Sequence, residues 1–355
     1  MATISDFLSM TLERDASDLH YMAGDPPRVR QYGELLPLAN IKLDAEKVRQ
    51  SIESIITPKA RQELEDKDGA DFAYELAGKG RFRVNVLRQL NGLGAVFRAI
   101  PETALTLEQL NMPRVARDLC KHPQGLILVT GKTGSGKSTT LAAMIDHINA
   151  NQKGHIITIE DPIEFTHERK QCLISQREVG VHTPSFAAAL HSALREDPDV
   201  VLVGEMRDLE TMSIAVTAAE TGILVMGTLH TNGAPPTVDR IVNTFPADKQ
   251  AHIRSMLSTS IRGVISQQLI RRKDGKGRVA ALEILVNNSG VANLIRQGKM
   301  DQLGSAMQAG AQSGMQTMDG ALKRLVQKRI ITGEVAYEKA FDKQNFKDYA
   351  PTAAA

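Results

Sequence analysis

Over the last two thirds of the chain, short apolar runs alternate with segments whose apolar residues recur at helical spacing. Residues 126–130 and 200–204 are almost continuously apolar, which is typical of strands that are buried on both faces. Between such runs apolar residues recur at helical spacing, so that Leu141, Met144 and Ile148 share one helical face. This alternation predicts an α/β fold in which helices cover both faces of a parallel sheet. The predicted strands of this sheet are residues 126–130, 156–160, 200–204 and 223–228, followed by a hairpin that turns at residues 275–277.

The first 98 residues have a different pattern, in which apolar and polar positions alternate. Phe82 lies on one face of a predicted strand, while Arg81 and Arg83 lie on the other. A glycine-containing turn at residues 78–80 joins this strand to residues 71–76 as a hairpin. The pattern predicts a small α/β domain, separated from the core by a segment bounded by prolines. The predicted parts are an N-terminal domain (1–98), a linker (99–112) and a core with C-terminal helices (113–355).

Composition narrows the classes of function. The net charge is +2, from 43 basic and 41 acidic residues, and aromatic residues make up 4% of the chain, so a groove that tracks nucleic acid is not indicated. The two cysteines, Cys120 and Cys172, exclude a four-cysteine zinc site and a disulfide scaffold, and they fit a reducing compartment. No apolar run approaches the ~20 residues that span a bilayer, and no signal peptide is evident. We therefore expect a soluble cytoplasmic protein.

The most informative segment is residues 131–138, which fit the pattern G-x-x-x-x-G-K-[ST]. The segment lies between a predicted strand and a predicted helix, which is the context that a P-loop requires. Glycines let backbone N–H groups approach a polyphosphate, and the helix N-terminus adds partial positive charge. In this motif Lys137 reaches the β- and γ-phosphates, and the Ser138 hydroxyl ligates Mg²⁺. The expected ATP-binding residues are Gly131, Thr133, Gly134, Ser135, Gly136, Lys137, Ser138 and Thr139.

Polar groups follow three predicted strands, at the end where P-loop proteins bind nucleotide. Residues 158–164 carry three carboxylates, among them Glu160 and Glu164; one can orient water while others hold the metal, although a solvated turn is the alternative. Glu205 ends a buried strand, as a metal-side carboxylate does. His230 follows the next strand and is either a γ-phosphate sensor or a structural histidine. The expected metal ligands are Ser138, Glu205 and Glu160.

In their order along the chain, these segments resemble those of type IV pilus retraction ATPases of the PilT type, in the secretion ATPase superfamily. The resemblance covers nearly the whole length. Walker A alone indicates only a P-loop, whereas the ordered set of boxes is specific to this family. The matching segments are residues 16–20, residues 81–85, Walker A (131–138), the Asp box (158–164), Walker B (192–208) and the His box (227–231).

The resemblance implies a PAS-like α/β N-terminal domain and a RecA-like P-loop ATPase core, which assemble as a homohexameric ring with ATP bound between the two domains. By the same resemblance one acid of the Asp box is the general base, and arginines of the N-terminal domain approach the nucleotide. For Arg207 and the other arginines of the core, a salt bridge is the simpler interpretation. The implied catalytic residues are Glu164, Glu205, His230, Arg81, Arg83 and Arg98.

The implied function is Mg²⁺-dependent ATP hydrolysis that powers pilus disassembly and twitching motility. Extension relatives carry a four-cysteine zinc motif, and its absence here favours retraction. The expected partners are further copies of the chain, an inner-membrane pilus platform protein and a sister pilus ATPase, with no nucleic acid. The expected location is the cytoplasm, docked at the inner-membrane pilus machine.

Two alternatives stay open. In the first, the chain is an accessory retraction subunit that acts with a sister ATPase. The support for it is the altered retraction signature at residues 290–296, which carries Ala292 where the retraction branch has arginine. In the second, the same fold serves another substrate and the chain is a nucleic-acid translocase, although the near-neutral charge disfavours this.

Overall fold

The computed structural model describes residues 3–31, 34–100 and 104–350. Two compact units are present: Met1–Thr103 with Glu164–Thr166 form the first, and the remaining residues form the second. The division falls inside the segment 99–112 that the sequence predicts as a linker, and residues 101–103 of that segment lie outside the described residues. Within the described ranges, no helix is both long and apolar enough to cross a membrane.

The first unit contains a six-stranded antiparallel sheet. Its strands are β1 (Asp18–Met22), β2 (Arg28–Gln31), β3 (Glu34–Pro37), β4 (Gly69–Leu76), β5 (Gly80–Gln89) and β6 (Gly92–Ile100), and its helices are α1 (Ile4–Glu13), α2 (Ala45–Glu53) and α3 (Pro58–Lys67). The strand order is β3-β2-β1-β6-β5-β4. Leu19, Phe82 and Phe97 are fully buried in a core that they share with α1 residues such as Phe7. Because side chains alternate along a strand, Arg81 and Arg83 of β5 and Arg98 of β6 lie on the opposite, polar face.

The second unit contains a seven-stranded sheet in the order β13-β12-β7-β11-β10-β8-β9. The strands are β7 (Gly125–Thr130), β8 (His155–Glu160), β9 (Leu173–Glu178), β10 (Val200–Val203), β11 (Leu224–Leu229), β12 (Ile261–Arg271) and β13 (Arg278–Val286). Neighbouring strands are parallel except for the β12–β13 hairpin. β7, β10 and β11 are buried along their whole length, as strands covered on both faces should be.

Helices pack against both faces of this second sheet and extend beyond its last strand. They are α4 (Arg114–Leu119), α5 (Lys137–Asn151), α6 (Phe186–Ala193), α7 (Leu209–Glu220), α8 (Ala234–Thr244), α9 (Gln250–Ser260), α10 (Ser289–Gln297), α11 (Leu303–Ala309), α12 (Met318–Gln327) and α13 (Gly333–Lys339), with short 3-10 helices at Met300–Gln302, Ala311–Ser313 and Lys343–Tyr349. Two large apolar clusters, one on each side of the sheet, contain residues from these helices.

The predicted fold class is confirmed: a parallel-sheet α/β core is joined to an α/β N-terminal unit. The hairpin that the sequence predicts at residues 275–277 joins β12 to β13. Five elements are not among those predicted from the sequence: β3, β9, α3, α4 and α8. β9 is a short strand of mixed polarity at the edge of the sheet, so neither an apolar run nor strict alternation marks it in the sequence.

Candidate functional site

Residues 131–136 connect β7 to α5 in a loop whose glycines are required by its geometry. Gly131 has a φ of 139°, and a Cβ atom there would lie 2.4 Å from the carbonyl oxygen of Gln267. Gly134 and Gly136 have φ angles of 75° and 89°, in the left-handed region that glycine adopts without strain. The backbone can therefore turn tightly and present its N–H groups without side chains in the way, as phosphate binding demands.

Lys137 and Ser135 supply further hydrogen-bond donors at this loop. The Lys137 ammonium donates to the carbonyl oxygens of Gly131, at 2.9 Å, and Lys132, at 3.3 Å. The Ser135 hydroxyl is buried, and no partner for it is found in the described part of the chain. Phosphate oxygens accept hydrogen bonds from both kinds of donor, so the loop fits a polyphosphate. Of the other predicted nucleotide ligands, Thr133 is exposed, and Ser138 and Thr139 are half-buried at the start of α5.

The neighbouring strand β12 fixes the loop through a buried glutamine. The Gln267 side-chain amide donates to the Ser135 carbonyl oxygen at 2.7 Å, and its oxygen accepts from the Thr140 hydroxyl at 3.0 Å. Gln267 is not among the site residues that the sequence motifs predict. The available signal is the polar run of residues 266–268 inside an otherwise apolar strand, because a buried amide requires partners.

The strand order brings the predicted polar groups to one edge of the sheet. β7, β11, β10 and β8 are consecutive neighbours, and their carboxyl ends lead into the P-loop, His230, Glu205 and Glu160. The His230 Nε2 atom lies 3.0 Å from a Glu205 carboxylate oxygen. A Cβ atom on Gly204 would lie 3.2 Å from the Cα atom of Glu160, so the ends of β10 and β8 are close-packed.

Glu205 is held in its charged form by its neighbours. Burial alone favours the neutral acid, but the hydrogen bond and charge of Arg207, together with His230, outweigh it and lower the pKa of Glu205. Arg207 contacts both carboxylate oxygens, at 2.5 and 2.6 Å. The salt bridge that the sequence suggests for Arg207 is therefore present, and it joins the arginine to the predicted Walker B acid.

The two predicted acids of the Asp box lie in different surroundings. Glu160 is buried at the end of β8, where its carboxylate accepts a hydrogen bond from the Thr158 hydroxyl at 2.7 Å. Glu164 is exposed and belongs, with Phe165 and Thr166, to the first compact unit. The metal-binding role of Glu160 and the catalytic role of Glu164 stay predictions. The described residues contain no cluster of three or more His, Cys, Asp or Glu side chains that could hold a metal ion.

The three predicted catalytic arginines lie on the polar sheet face of the first unit. Arg83 on β5 is directly opposite Arg98 on β6, and Arg81 lies two residues before Arg83 on the same face. Arg98 pairs with Asp18 at 2.9 Å, and Arg83 lies 3.8 Å from Asp71. The structure thus groups the arginines with one another, within the unit that does not carry the P-loop.

A cavity of about 480 Å³ opens at the P-loop within the second unit. One side is formed by the loop itself, including Lys132 and Ser135. β12 contributes Gln268 and Leu269, and the C-terminal part of the chain contributes Lys339 and Phe341. Volume and lining suit a small polar ligand with an anionic group against the loop.

Comparison with known proteins places this site in a family context. The family described as "Type II/IV secretion system protein" matches residues 2–336. The chain is 52% identical over 343 residues to "Type IV pilus retractation ATPase PilT" of Pseudomonas aeruginosa, covering 97% of this chain and 99% of that protein. It is 41% identical over 333 residues to "Type IV pilus ATPase PilU" of the same organism, covering 94% and 86%.

A solved structure extends this similarity to the fold. The crystal structure of the pilus retraction motor PilT with bound ADP matches with a TM-score of 0.91 at 45% sequence identity, covering 98% of this chain and 100% of that one. The similarity therefore includes both compact units and the P-loop.

Proposed function

The chain belongs to the type II/IV secretion system protein family, among its pilus retraction ATPases, and from that premise we propose that it hydrolyses ATP with Mg²⁺ in a homohexameric motor. Its function is to power the retraction of type IV pili, and thereby twitching motility. The observation that carries this conclusion is the 52% identity to a pilus retraction ATPase over 97% of the chain, together with a P-loop built for phosphate.

Each group at the sheet edge has a distinct part in the proposed reaction. The loop amides and Lys137 bind the β- and γ-phosphates, and Ser138, Glu205 and Glu160 would hold the metal. Mg²⁺, when bound, neutralises charge on the phosphate oxygens. Glu164 orients and deprotonates the attacking water, and His230 contacts the γ-phosphate. Because Glu205 stays charged at neutral pH, it favours a cation beside it.

The arginines of the first unit complete the proposed site. Arg81, Arg83 and Arg98 supply positive charge to the phosphates as they leave, in the manner of arginine fingers. We place their contribution in the assembled ring, where movement of the N-terminal domain about the linker region (99–112) accompanies turnover. The proposed partners are further copies of the chain, an inner-membrane pilus platform protein and a sister pilus ATPase such as a PilU relative, so that the motor works at the cytoplasmic side of the pilus machine.

ATP hydrolysis by the purified chain tests this function. Wild-type protein should release phosphate from ATP only with Mg²⁺, and Glu164→Gln should lower kcat by about a hundredfold or more while ATP still binds. Glu168→Gln, an exposed acid four residues further on, is the matched control and should match the wild type. If Glu164→Gln turned over like its control, Glu164 would not be the general base.

A genetic experiment distinguishes the motor from the alternative, an accessory subunit. The observation that favours the alternative is Ala292, which stands in the retraction signature where the retraction branch has arginine. Deletion of the gene should abolish twitching motility, and a copy carrying Glu164→Gln should fail to restore it if the chain is itself the motor. Restoration by the inactive copy would identify an accessory subunit that supports a sister ATPase.

A further inference from the structure

A buried acid on β13, which is not adjacent to β7, accepts hydrogen bonds from the N-termini of two helices. Glu283 lies on β13 and is only 3% exposed. One of its carboxylate oxygens accepts the backbone N–H of Ala234 at 2.7 Å, and the other accepts the backbone N–H of Met318 at 3.1 Å. These amides belong to the first residues of α8 and α12. Partial positive charge accumulates at such helix ends, so the carboxylate bridges two sites that both favour an anion.

The first of these helices follows the His-box loop, which we define as residues 230–233. His230 at the start of the loop contacts Glu205, as described above. Gly233 at the end of the loop donates its N–H to the Ser266 hydroxyl at 2.8 Å. The hydroxyls of Thr231 and Thr237 lie 2.7 Å apart. Contacts of His230, Thr231 and Gly233 thus anchor the loop, and the bond from Ala234 to Glu283 holds the point where the loop becomes α8.

The second helix holds the C-terminal part of the chain. Asp319, the residue after Met318, accepts the backbone N–H groups of Phe341 at 2.9 Å and Asp342 at 3.0 Å, and the Asn345 side-chain amide at 3.1 Å. We call residues 338–342 the C-terminal wall, because Glu338, Lys339 and Phe341 line the cavity at the P-loop. Asp319 therefore fixes this wall relative to α12.

Both ends of this connection face the same cavity. Asn232 of the His-box loop lines the P-loop cavity together with the C-terminal wall. Asn232 and Phe341 also line a second cavity, of about 630 Å³, to which Glu283 and Asp319 contribute. Two walls of the P-loop cavity are consequently tied to one another behind it, through Glu283 and Asp319.

The acid at the centre of this connection is costly to keep. Burial raises the pKa of Glu283, against the two backbone N–H groups that lower it. A buried charge adds little to stability when an apolar residue of similar volume can replace it, so stability alone gives weak reason for a carboxylate here. What an apolar residue cannot do is accept two N–H groups from two separate segments at once.

We propose that Glu283 is a positioning residue that couples the His-box loop to the C-terminal wall, so that nucleotide contact with one is transmitted to the other. The inference rests on the proposed ATPase function, because it assigns the carboxylate a role in turnover. Glu283 acts through His230 and through the wall, without touching the nucleotide itself.

Steady-state kinetics with a double-mutant cycle test the coupling. Glu283→Gln keeps the volume but can accept only one of the two N–H groups, and it should lower kcat about tenfold. Asp319→Asn should raise the KM for ATP and also lower kcat. If the two act in one connection, the double variant should have the kcat of Glu283→Gln alone, whereas independent effects would multiply.

A matched variant controls for simple destabilisation. Asn288 caps α10 in the same unit by accepting the Val291 N–H at 2.9 Å, and Asn288→Ala removes that bond without touching the connection. At equal loss of Tm, Asn288→Ala should keep kcat within about twofold of the wild type, since surface caps act on stability. The proposal would be overturned if Glu283→Gln kept a kcat as close to the wild type as Asn288→Ala does. It would also be overturned if the effects of Glu283→Gln and Asp319→Asn on kcat multiplied in the double variant.

Hydrogen exchange gives a readout that does not depend on hydrolysis. In the wild type, ADP should slow amide exchange in peptides covering residues 230–240 and residues 336–345. In Glu283→Gln, the protection of residues 336–345 should persist while that of residues 230–240 is lost; equal protection of both segments would overturn the coupling. If the wild type bound ADP but hydrolysed no ATP, the proposed function would be refuted. The exchange experiment would then still test whether Glu283 couples the His-box loop to the C-terminal wall.

Discussion

Glu205 in the second unit and Arg98 in the first show two ways of holding a charged group. Glu205 ends a strand, its side chain is 18% exposed, and it contacts both Arg207 and His230. Arg98 stands on an open sheet face with 68% of its side chain exposed, and it pairs with Asp18, which is itself 7% exposed. Glu205 is therefore fixed by contacts within its own unit. Arg98 is held by Asp18 at the sheet surface, and most of its side chain is exposed to solvent.

The difference follows from the two kinds of sheet. The parallel sheet is buried on both faces, so its polar groups are confined to the strand ends, where they meet and bind one another. The antiparallel sheet has one polar face, along which arginines can be placed in rows. The groups at the strand ends are therefore pre-organised by contacts with one another, whereas Arg98 on the polar sheet face stays largely exposed.

Loss of the P-loop lysine should be the most severe test of the pre-organised side. Lys137→Ala removes the ammonium that meets the phosphate charge, so we expect kcat/KM to fall by about a thousandfold and ATP binding to be lost. Binding of a fluorescent ATP analogue and phosphate release measure the two effects. The exposed Lys153, just after α5, provides the control as Lys153→Ala. Unchanged binding in Lys137→Ala would place the phosphate site elsewhere.

Loss of a sheet-face arginine should affect turnover and spare binding. Arg98→Ala should lower kcat by about a hundredfold, because in the proposed reaction the guanidinium acts on charge that develops in the transition state, and it should leave ATP affinity nearly unchanged. Arg88→Ala, on the same sheet and paired with Asp68 at 3.3 Å, is the control. A parallel loss of affinity and kcat in Arg98→Ala would show that the arginine already binds the ground state.

The contact between His230 and Glu205 should contribute less than either of these charges. His230→Ala leaves Glu205 paired with Arg207, so we expect kcat to fall about tenfold, the size of one hydrogen bond to a charged group. His230→Gln, which keeps a donor, should recover part of the rate. His252→Ala, an exposed histidine on α9, should be neutral. Activity of His230→Ala equal to that of His252→Ala would make His230 structural.

The sequence predicts most of the strand ends but not the groups that connect them. The P-loop, Glu205 and His230 are each marked by a local pattern, a strand followed by a turn and a polar residue, and such patterns depend only on neighbours in the chain. Their convergence at one edge could be expected because carboxyl ends of parallel strands meet there.

Gln267 and Glu283 could not be assigned in the same way. Gln267 binds the P-loop only because β12 pairs with β7, a contact that spans more than 130 residues of chain. Glu283 bridges α8 and α12 only because β13 pairs with β12. Polar residues inside an apolar strand indicate that hydrogen-bond partners exist. Which residues those partners are is decided by the pairing of strands that are distant in the sequence.

His20 in the first unit and His167 in the second both have a lowered pKa, with partly different causes, and this gives the finest distinction. Burial lowers the pKa of His20 in the first unit, and the charges of Arg30 and Arg98 lower it further, against Asp18. Burial likewise lowers the pKa of His167 in the second unit, where nearby charges play the smaller part. Burial is thus the largest cause at both histidines, but two arginine charges add to it at His20, whereas at His167 the charges of Asp146 and Lys170 oppose one another.

Acidification in low and high salt should separate these two causes. A histidine whose folded pKa lies below the unfolded value of about 6.5 binds protons preferentially in the unfolded chain, so the free energy of unfolding falls as the pH drops through about 6.5. His20→Gln and His167→Gln should each reduce the loss of Tm between about pH 7 and pH 5. Salt at about 1 M screens the arginine charges but leaves burial unchanged, so the benefit of His20→Gln should shrink in salt while that of His167→Gln persists. Equal responses to salt would contradict the distinction, because they would mean that the charges of Arg30 and Arg98 affect the pKa of His20 no more than nearby charges affect that of His167.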